Sequence, residues 1–374
     1  MPSMLPSLPK SFGRLSDVFV SALGSITGVN NRLGLRRVKN SCVILVDGLG
    51  HHNLNENSGY AKFLSRATGS KLSTVFPSTT ASAITSFATG VLPGQHGIVG
   101  YQIWDNRDSA SVNLLTGMDS KAVRNWQTHE TVSTQAKIAE VKCYSIGPGE
   151  YATSSFTKAT MPDATFIAAK SIEDRFAEAY KLLSSSQGNL VYVYVPELDQ
   201  LAHAYGADSD RWRQKLEELD GLTNDFVSRV GNRSGVLLTA DHGIIDVDES
   251  KHIYLDEFNQ DLSGLKFVGG DPRVNFLYFE PDTDLNSVRD ALQRSLDSRA
   301  TVLTKEQVIE AGWYGEVLPN FHGRLPDLFL LASAKSAVYH RGFAKPKSLK
   351  MIGQHGGLSP EETAVPLLRF AQYL

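Results

Sequence analysis

The sequence predicts an α/β fold built on a parallel sheet, and three observations carry that prediction. Residues 42–46 read CVILV, residues 189–195 NLVYVYV and residues 235–240 GVLLTA, short and continuously apolar runs rich in β-branched or aromatic residues. Runs of this kind mark strands buried on both faces. Amphipathic segments separate them, with Phe176, Tyr180 and Leu183, then Trp212, Leu216, Leu219, Leu222 and Phe226, at helical spacing. Each run also ends in acids or histidines: Asp47-Gly48, Glu197-Leu198-Asp199 and Asp241-His242-Gly243. The C-terminal ends of parallel strands border the crevice in which open α/β sheets bind ligands.

In chain order, residues 2–9 are expected to form a surface arm and residues 11–23 a helix. A helix over 54–67 follows the first strand. A strand then closes at Val75-Phe76, the chain turns at Pro77, and a helix opens at Thr79-Thr80 and ends near Gly90. Residues 101–132 read as a long excursion over the sheet that walls the site and residues 147–158 as a loop, and Trp104, Trp126, Tyr151 and Phe156 are candidates to face a substrate. A helix over 133–139, a strand over 143–146, a short strand over 165–168 and helices over 172–183 and 210–230 complete the first part. Residues 245–349 change texture and read as an inserted subdomain, with an alternating, half-buried strand over 274–279, helices over 285–296 and 305–311, and a strand over 327–332. The chain returns to the crevice at GQHGG, residues 353–357, and is expected to end in a helix over 360–373.

Bulk composition narrows the function. The 374 residues are 41% hydrophobic and 21% charged, ordinary values for a globular protein. A net charge of -3 offers no basic surplus for a nucleic-acid polymer. Two cysteines, Cys42 and Cys143, sit in apolar strand-like runs and are expected to be buried free thiols. The first 28 residues lack a basic start followed by an unbroken apolar core, and no apolar run approaches the ~20 residues that span a bilayer. The expectation is a cytoplasmic protein without a membrane segment, its oligomeric state open.

The crevice ends supply Asp47, Asp199, His203, Asp241, His242 and His355, with Thr80 at a helix start. Singly, each has a plain alternative: Asp47 and Asp199 can cap turns, His203 can be a surface residue, and Thr80 can cap its helix. Jointly they offer six oxygen and nitrogen donors without cysteine, a set suited to zinc or, second, manganese. Six donors divide into two sites of three, and two ions ~4 Å apart can clamp the attacking and leaving oxygens of an in-line displacement at phosphorus. A helix N-terminus holds a phosphate, and a threonine there can attack it.

The motifs VILVDGLG, FPSTTASAITSFATGVLPGQHGIVG, ELDQLAHAYG, LTADHGI and GQHGGLSPEETAVPLL occur in the order that resembles the alkaline phosphatase superfamily, specifically its nucleotide pyrophosphatase/phosphodiesterase branch. The resemblance implies an alkaline-phosphatase-like three-layer sandwich: a central, mostly parallel sheet between helices, in one domain with a core at about 38–244 and 350–374 and a cap at about 245–349. It implies that Thr80 is the nucleophile and is transiently phosphorylated. It implies that Asp47, Asp241 and His242 hold one metal together with Thr80, that Asp199, His203 and His355 hold the other, and that both are zinc. Two departures bear on the substrate. Tyr101 stands where the family's diesterases carry an asparagine, either as a substitute hydroxyl donor or as a packed wall residue, and ASAIT replaces Phe-Pro-Asn-His-Tyr after the nucleophile. The expected activity is a metal-dependent phosphodiesterase or nucleotide pyrophosphatase on a small, nucleotide-like substrate. Phosphomonoesterase and phosphonoacetate-type hydrolysis are the alternatives, and a metal-binding module without catalysis is the alternative of another class.

Overall fold

The computed structural model describes residues 13–119, 123–186 and 188–374; the arm expected at 2–9 lies outside them. A seven-stranded sheet forms the centre, in the order Gly69–Ser73, Ala364–Ala371, Gly235–Thr239, Ser41–Val46, Asn189–Val195, Lys142–Gly147, Thr165–Ala168. Only Ala364–Ala371 runs against its neighbours; the other pairings are parallel. Every residue of Ser41–Val46 and Gly235–Thr239 is buried, as unbroken apolar runs require. Helices cover the sheet in two groups. Phe19 of Ser16–Thr27 stacks on Phe87 of Thr80–Thr89 at 4.7 Å, and Phe176 of Ile172–Leu183 stacks on Phe226 of Asp210–Val230 at 5.0 Å.

A separate antiparallel sheet orders Leu265–Asp271, Val274–Phe279, Leu328–Ala332 and Ala300–Thr304. The Leu285–Leu296 helix buries Val288, Leu292 and Leu296 in an apolar cluster of its own with Leu277 and Leu330. The excursion after Gly100 forms a hairpin of Gln102–Asp105 and Ala110–Asn113.

Four local expectations change. The C-terminal helix is only Pro360–Thr363; the chain then becomes the Ala364–Ala371 strand. Pro366 lacks the N–H and the steric room a helix interior needs, and the segment fills the slot between two strands instead. The helix at 54–67 breaks into His51–Glu56 and Lys62–Arg66, because the Asp220 carboxylate accepts the Phe63 and Leu64 amides and fixes a new helix start. The first helix is Ser16–Thr27, closed by Gly28 at φ 82. Val274–Phe279 is buried on both faces rather than one, since it sits between the main core and the Leu285–Leu296 helix.

Cys42 and Cys143 are buried and free, on strands that flank Asn189–Val195 rather than each other. Burial pushes the Cys143 thiol up to about 12 and Cys42 higher still.

Candidate active site

Asp47 follows the Ser41–Val46 strand, Asp241 and His242 follow Gly235–Thr239, and Asp199 and His203 lie four residues apart on the Glu197–Tyr205 helix after Asn189–Val195. Because these are the three adjacent parallel strands at the centre of the sheet, their ends converge. Gly48 permits the approach: at φ 73 it lies against Asp199, whose Cα and Cβ would stand 3.2 Å from any added Cβ. His355 arrives from the C-terminal loop, and the Thr80–Thr89 helix supplies Thr80 from above. All seven residues named from the sequence therefore meet at one place.

Asp47 and Asp241 each have one oxygen engaged by a donor and one left over. Asp47 Oδ2 accepts the Tyr194 hydroxyl. Asp241 Oδ1 accepts the Gly48 and His242 amides at 3.2 and 3.0 Å. Asp199 Oδ2 lies 3.3 Å from His203 Nε2. Asp47 Oδ1, Asp199 Oδ1 and Asp241 Oδ2 are buried without a hydrogen-bond partner.

The histidines show the complementary pattern. His203 Nδ1 bonds the Gly353 carbonyl at 2.7 Å, His242 Nδ1 the Gly243 carbonyl at 3.2 Å, and His355 Nδ1 the Ser78 carbonyl at 3.0 Å. A carbonyl only accepts, so each Nδ1 carries the proton and each Nε2 turns a lone pair inward. His242 Nε2 lies 3.4 Å from Asp47 Oδ1, 3.4 Å from Asp241 Oδ2 and 3.2 Å from Thr80 Oγ1. His355 Nε2 lies 3.8 Å from Asp199 Oδ1.

Electrostatically the cluster is strained without a cation. Burial, then the Asp241 and Asp199 charges, push the Asp47 carboxyl well above its usual range. Burial also raises Asp241. Burial, then His242 and His203, hold His355 well below the ordinary imidazole value. Two sets, Asp199-His203-His355 and Asp47-Asp199-His242, each bring their ligand atoms within 4.8 Å of one another. Unpartnered carboxylate oxygens, inward Nε2 lone pairs and backbone-anchored Nδ1 protons are what a divalent-metal centre presents.

Thr79 precedes the helix and caps nothing with its side chain, so the first-turn amides beside Thr80 stay open to an anion. Tyr101 stands at the edge of the site, beside Asn113. Asn113 Oδ1 accepts the Leu115 and Thr116 amides at 3.0 and 2.9 Å, which leaves its amide nitrogen as the group that can donate to Tyr101. A cleft of about 630 Å³ opens beside Thr80, lined by Ile84, Tyr151, Phe156, Met161 and Tyr194. Of the four aromatic candidates, Tyr151 and Phe156 line it. Trp104 instead packs on Phe267 at 5.6 Å, and Trp126 is buried beneath Arg324. Sequence reasoning missed Tyr194, Asn113 and Asp271. Tyr194 alone carried a signal, as an aromatic one residue from the end of a strand that delivers a ligand.

The family model of the type I phosphodiesterases / nucleotide pyrophosphatases matches residues 41–358. The chain belongs to this family. Ectonucleotide pyrophosphatase/phosphodiesterase 2 of Saccharomyces cerevisiae is 27% identical over 203 residues, 48% of this chain and 40% of that protein. Ectonucleotide pyrophosphatase/phosphodiesterase family member 1 of Rattus norvegicus is 26% identical over 239 residues, 61% of this chain and 26% of that protein. The match thus spans less than half the length of these curated family members. Among solved structures, human ectonucleotide pyrophosphatase/phosphodiesterase 5 superposes with a TM-score of 0.71 at 18% identity, over 88% of this chain and 87% of that one. An inactive threonine-to-alanine variant of the murine form, in complex with AMP, gives a TM-score of 0.69 at 19% identity over 87% of each chain. The likeness establishes the alkaline-phosphatase-like fold of this family member.

Proposed function

We propose that the chain is a metal-dependent hydrolase of phosphoric esters, a phosphodiesterase or nucleotide pyrophosphatase in which Thr80 is the nucleophile. The observation that carries this reading is the placement of Thr80: its hydroxyl sits at an uncapped helix start and 3.2 Å from His242 Nε2, among three carboxylates that each turn an unpartnered oxygen inward. Asp47, Asp241 and His242 would hold one ion with Thr80, and Asp199, His203 and His355 the other, as zinc or manganese. When bound, the ions supply positive charge to the phosphoryl oxygens and lower the pKa of a coordinated hydroxyl.

The protein's own groups position the reaction. Helix amides and the Tyr101 proton bind phosphoryl oxygens. Thr80 gives up its hydroxyl proton to solvent and its Oγ forms a bond to phosphorus as the bond to the departing alcohol oxygen breaks; the alcohol leaves with that electron pair and takes a proton from solvent. Water then cleaves the phosphothreonine, restoring the Thr80 hydroxyl and releasing a phosphate monoester. The cleft beside Thr80 falls in the ~300–1,000 Å³ range of small-molecule sites, and its aromatic walls suit a nucleoside-sized group, consistent with the AMP held by the murine protein.

Thr80→Ala is the direct test. It should reduce turnover of a nitrophenyl phosphodiester by at least about 10³-fold while metal content stays unchanged. Retained turnover would remove Thr80 from the nucleophile's role.

A further inference from the structure

Asp47 differs from its neighbours in how it is held. Asp241 accepts two backbone amides, and His203, His242 and His355 each bond a backbone carbonyl. Asp47 depends on a side chain instead. Among the described residues, the Tyr194 hydroxyl is the only donor to its carboxylate, and it donates to Oδ2. Oδ1 is buried without a hydrogen-bond partner, 3.4 Å from His242 Nε2.

The sheet dictates this pairing. Tyr194 lies opposite Leu45 in the parallel register of Asn189–Val195 with Ser41–Val46. The Asp47 amide donates to the Val195 carbonyl at 2.9 Å, which carries the pairing one step beyond the strand. Residues two apart along a strand share a face. The chain therefore delivers Asp47 on the face of Leu45 and Tyr194, two residues ahead, an offset that a side chain as long as tyrosine spans.

Tyr194 is itself fixed. Its ring centroid lies 5.8 Å from that of Tyr151 and 6.3 Å from that of Tyr192, and Tyr192 packs at 5.3 Å on Phe87 of the Thr80–Thr89 helix. Buried Arg175 donates to the Tyr194 carbonyl at 3.0 Å and to the Glu197 carboxylate at 3.1 Å, which ties this strand end to the helix carrying Asp199. Tyr194 also lines the cleft beside Thr80.

We propose that Tyr194 is a positioning residue: by engaging Oδ2 it fixes the Asp47 carboxylate with Oδ1 as the oxygen offered to the ion that Thr80 shares. The proposal rests on the hydrolase reading and adds a residue to it. The two oxygens of a carboxylate are chemically equivalent, and only an outside donor makes them different. Partners of this outer kind orient a ligand and are typically worth ~10–100-fold in metal affinity or activity. A phenylalanine at this position would wall the cleft equally well; the hydroxyl is what joins the wall to the metal centre.

The test compares Tyr194→Phe with Tyr151→Phe in the full-length protein. Tyr151→Phe removes a hydroxyl from the same cleft, one whose partner is Gln200 at 3.4 Å rather than a ligand. Zinc affinity is read by chelator competition, and turnover of a nitrophenyl phosphodiester at saturating zinc. Tyr194→Phe should loosen one of two bound ions by about 10–100-fold and lower kcat with little change in KM, while Tyr151→Phe leaves zinc affinity as it is. Urea unfolding of the chelator-treated variants shows that both are folded. Unchanged zinc affinity in folded Tyr194→Phe overturns the proposal, whether KM rises or only the urea midpoint falls. An equal loss in Tyr151→Phe, or equal loosening of both ions, overturns it as well, as does a wild type that binds no divalent ion. A wild type that binds two ions and shows no diester turnover would overturn the hydrolase reading alone.

Discussion

The two halves of the candidate metal centre are built differently. Asp47, Asp241 and His242 stand at the ends of two central strands, are 3% exposed or less, and have backbone amides and the Tyr194 hydroxyl as partners. Asp199 and His203 stand on a helix and His355 on a loop; His203 is half-buried. The first half inherits the rigidity of the sheet. The second is held by a few loop contacts and can adjust. In the proposed reaction the strand-end set would align the attacking oxygen, and the looser set would tolerate different departing groups.

The largest effects should separate the halves. Asp241→Ala should weaken metal binding by more than about a thousandfold, since no water can take its place in a fully enclosed site. His203→Ala should cost closer to the ~10–100-fold scale typical of outer partners, because solvent reaches this ligand, whose side chain is 20% exposed. Chelator competition measures both, and equal losses would break the comparison.

The next effect concerns the strut between the halves. Glu362 accepts the Gly243 amide through its carbonyl at 2.9 Å and the Gly357 amide through its carboxylate at 2.8 Å, so it steadies the loops of both His242 and His355. Arg273 donates to the same carboxylate at 3.1 and 2.9 Å, both side chains being 2% exposed or less. Arg273→Met would strand a buried charge and should cost about 3–5 kcal/mol in urea unfolding. A loss under about 1 kcal/mol would mean that the pair carries little.

The smallest effect is a pH slope. Asp47, Asp241 and Asp271 have raised carboxyls in the folded protein. The native state thus keeps protons that the unfolded chain has released, and stability falls as pH rises. His355 acts with the opposite sign, but only below its ordinary value of 6.5. Between pH 6.5 and about 8, chelator-treated protein should lose stability by up to about 1.4 kcal/mol per unit for each such proton. Metal-loaded protein should show a shallower slope, because ions displace the protons on Asp47 and Asp241 and leave that on Asp271. A flat profile in chelator would argue against carboxylate crowding.

The candidate cluster was legible mainly because Asp47, Asp199, Asp241 and His242 sit at or just past the ends of recognisable runs, and run plus terminal acid is local information. The strands at 41–46, 189–195 and 235–239 fall where their unbroken apolar character places them. The last strand was not read, although Pro366 argued against the helix; its fate depends on a slot between two strands distant in sequence. Asn113 and Asp271 were invisible for the same reason. An asparagine in a hairpin and an aspartate before Pro272 look like turn residues until the fold brings one to Tyr101 and the other to Thr79.

The cap's attachment has a consequence for traffic. Besides the Arg273–Glu362 pair, buried Arg324 donates to the Gly97 and Trp126 carbonyls, and the Tyr314 hydroxyl donates to the Val99 carbonyl at 3.0 Å. A subdomain riveted this way to the segment just after the Thr80 helix does not swing aside on a hinge without breaking buried polar contacts. In the proposed reaction, reactants and products would then pass through a standing opening, the mouth beside Tyr151 and Phe156, which would be the first filter on what reaches Thr80.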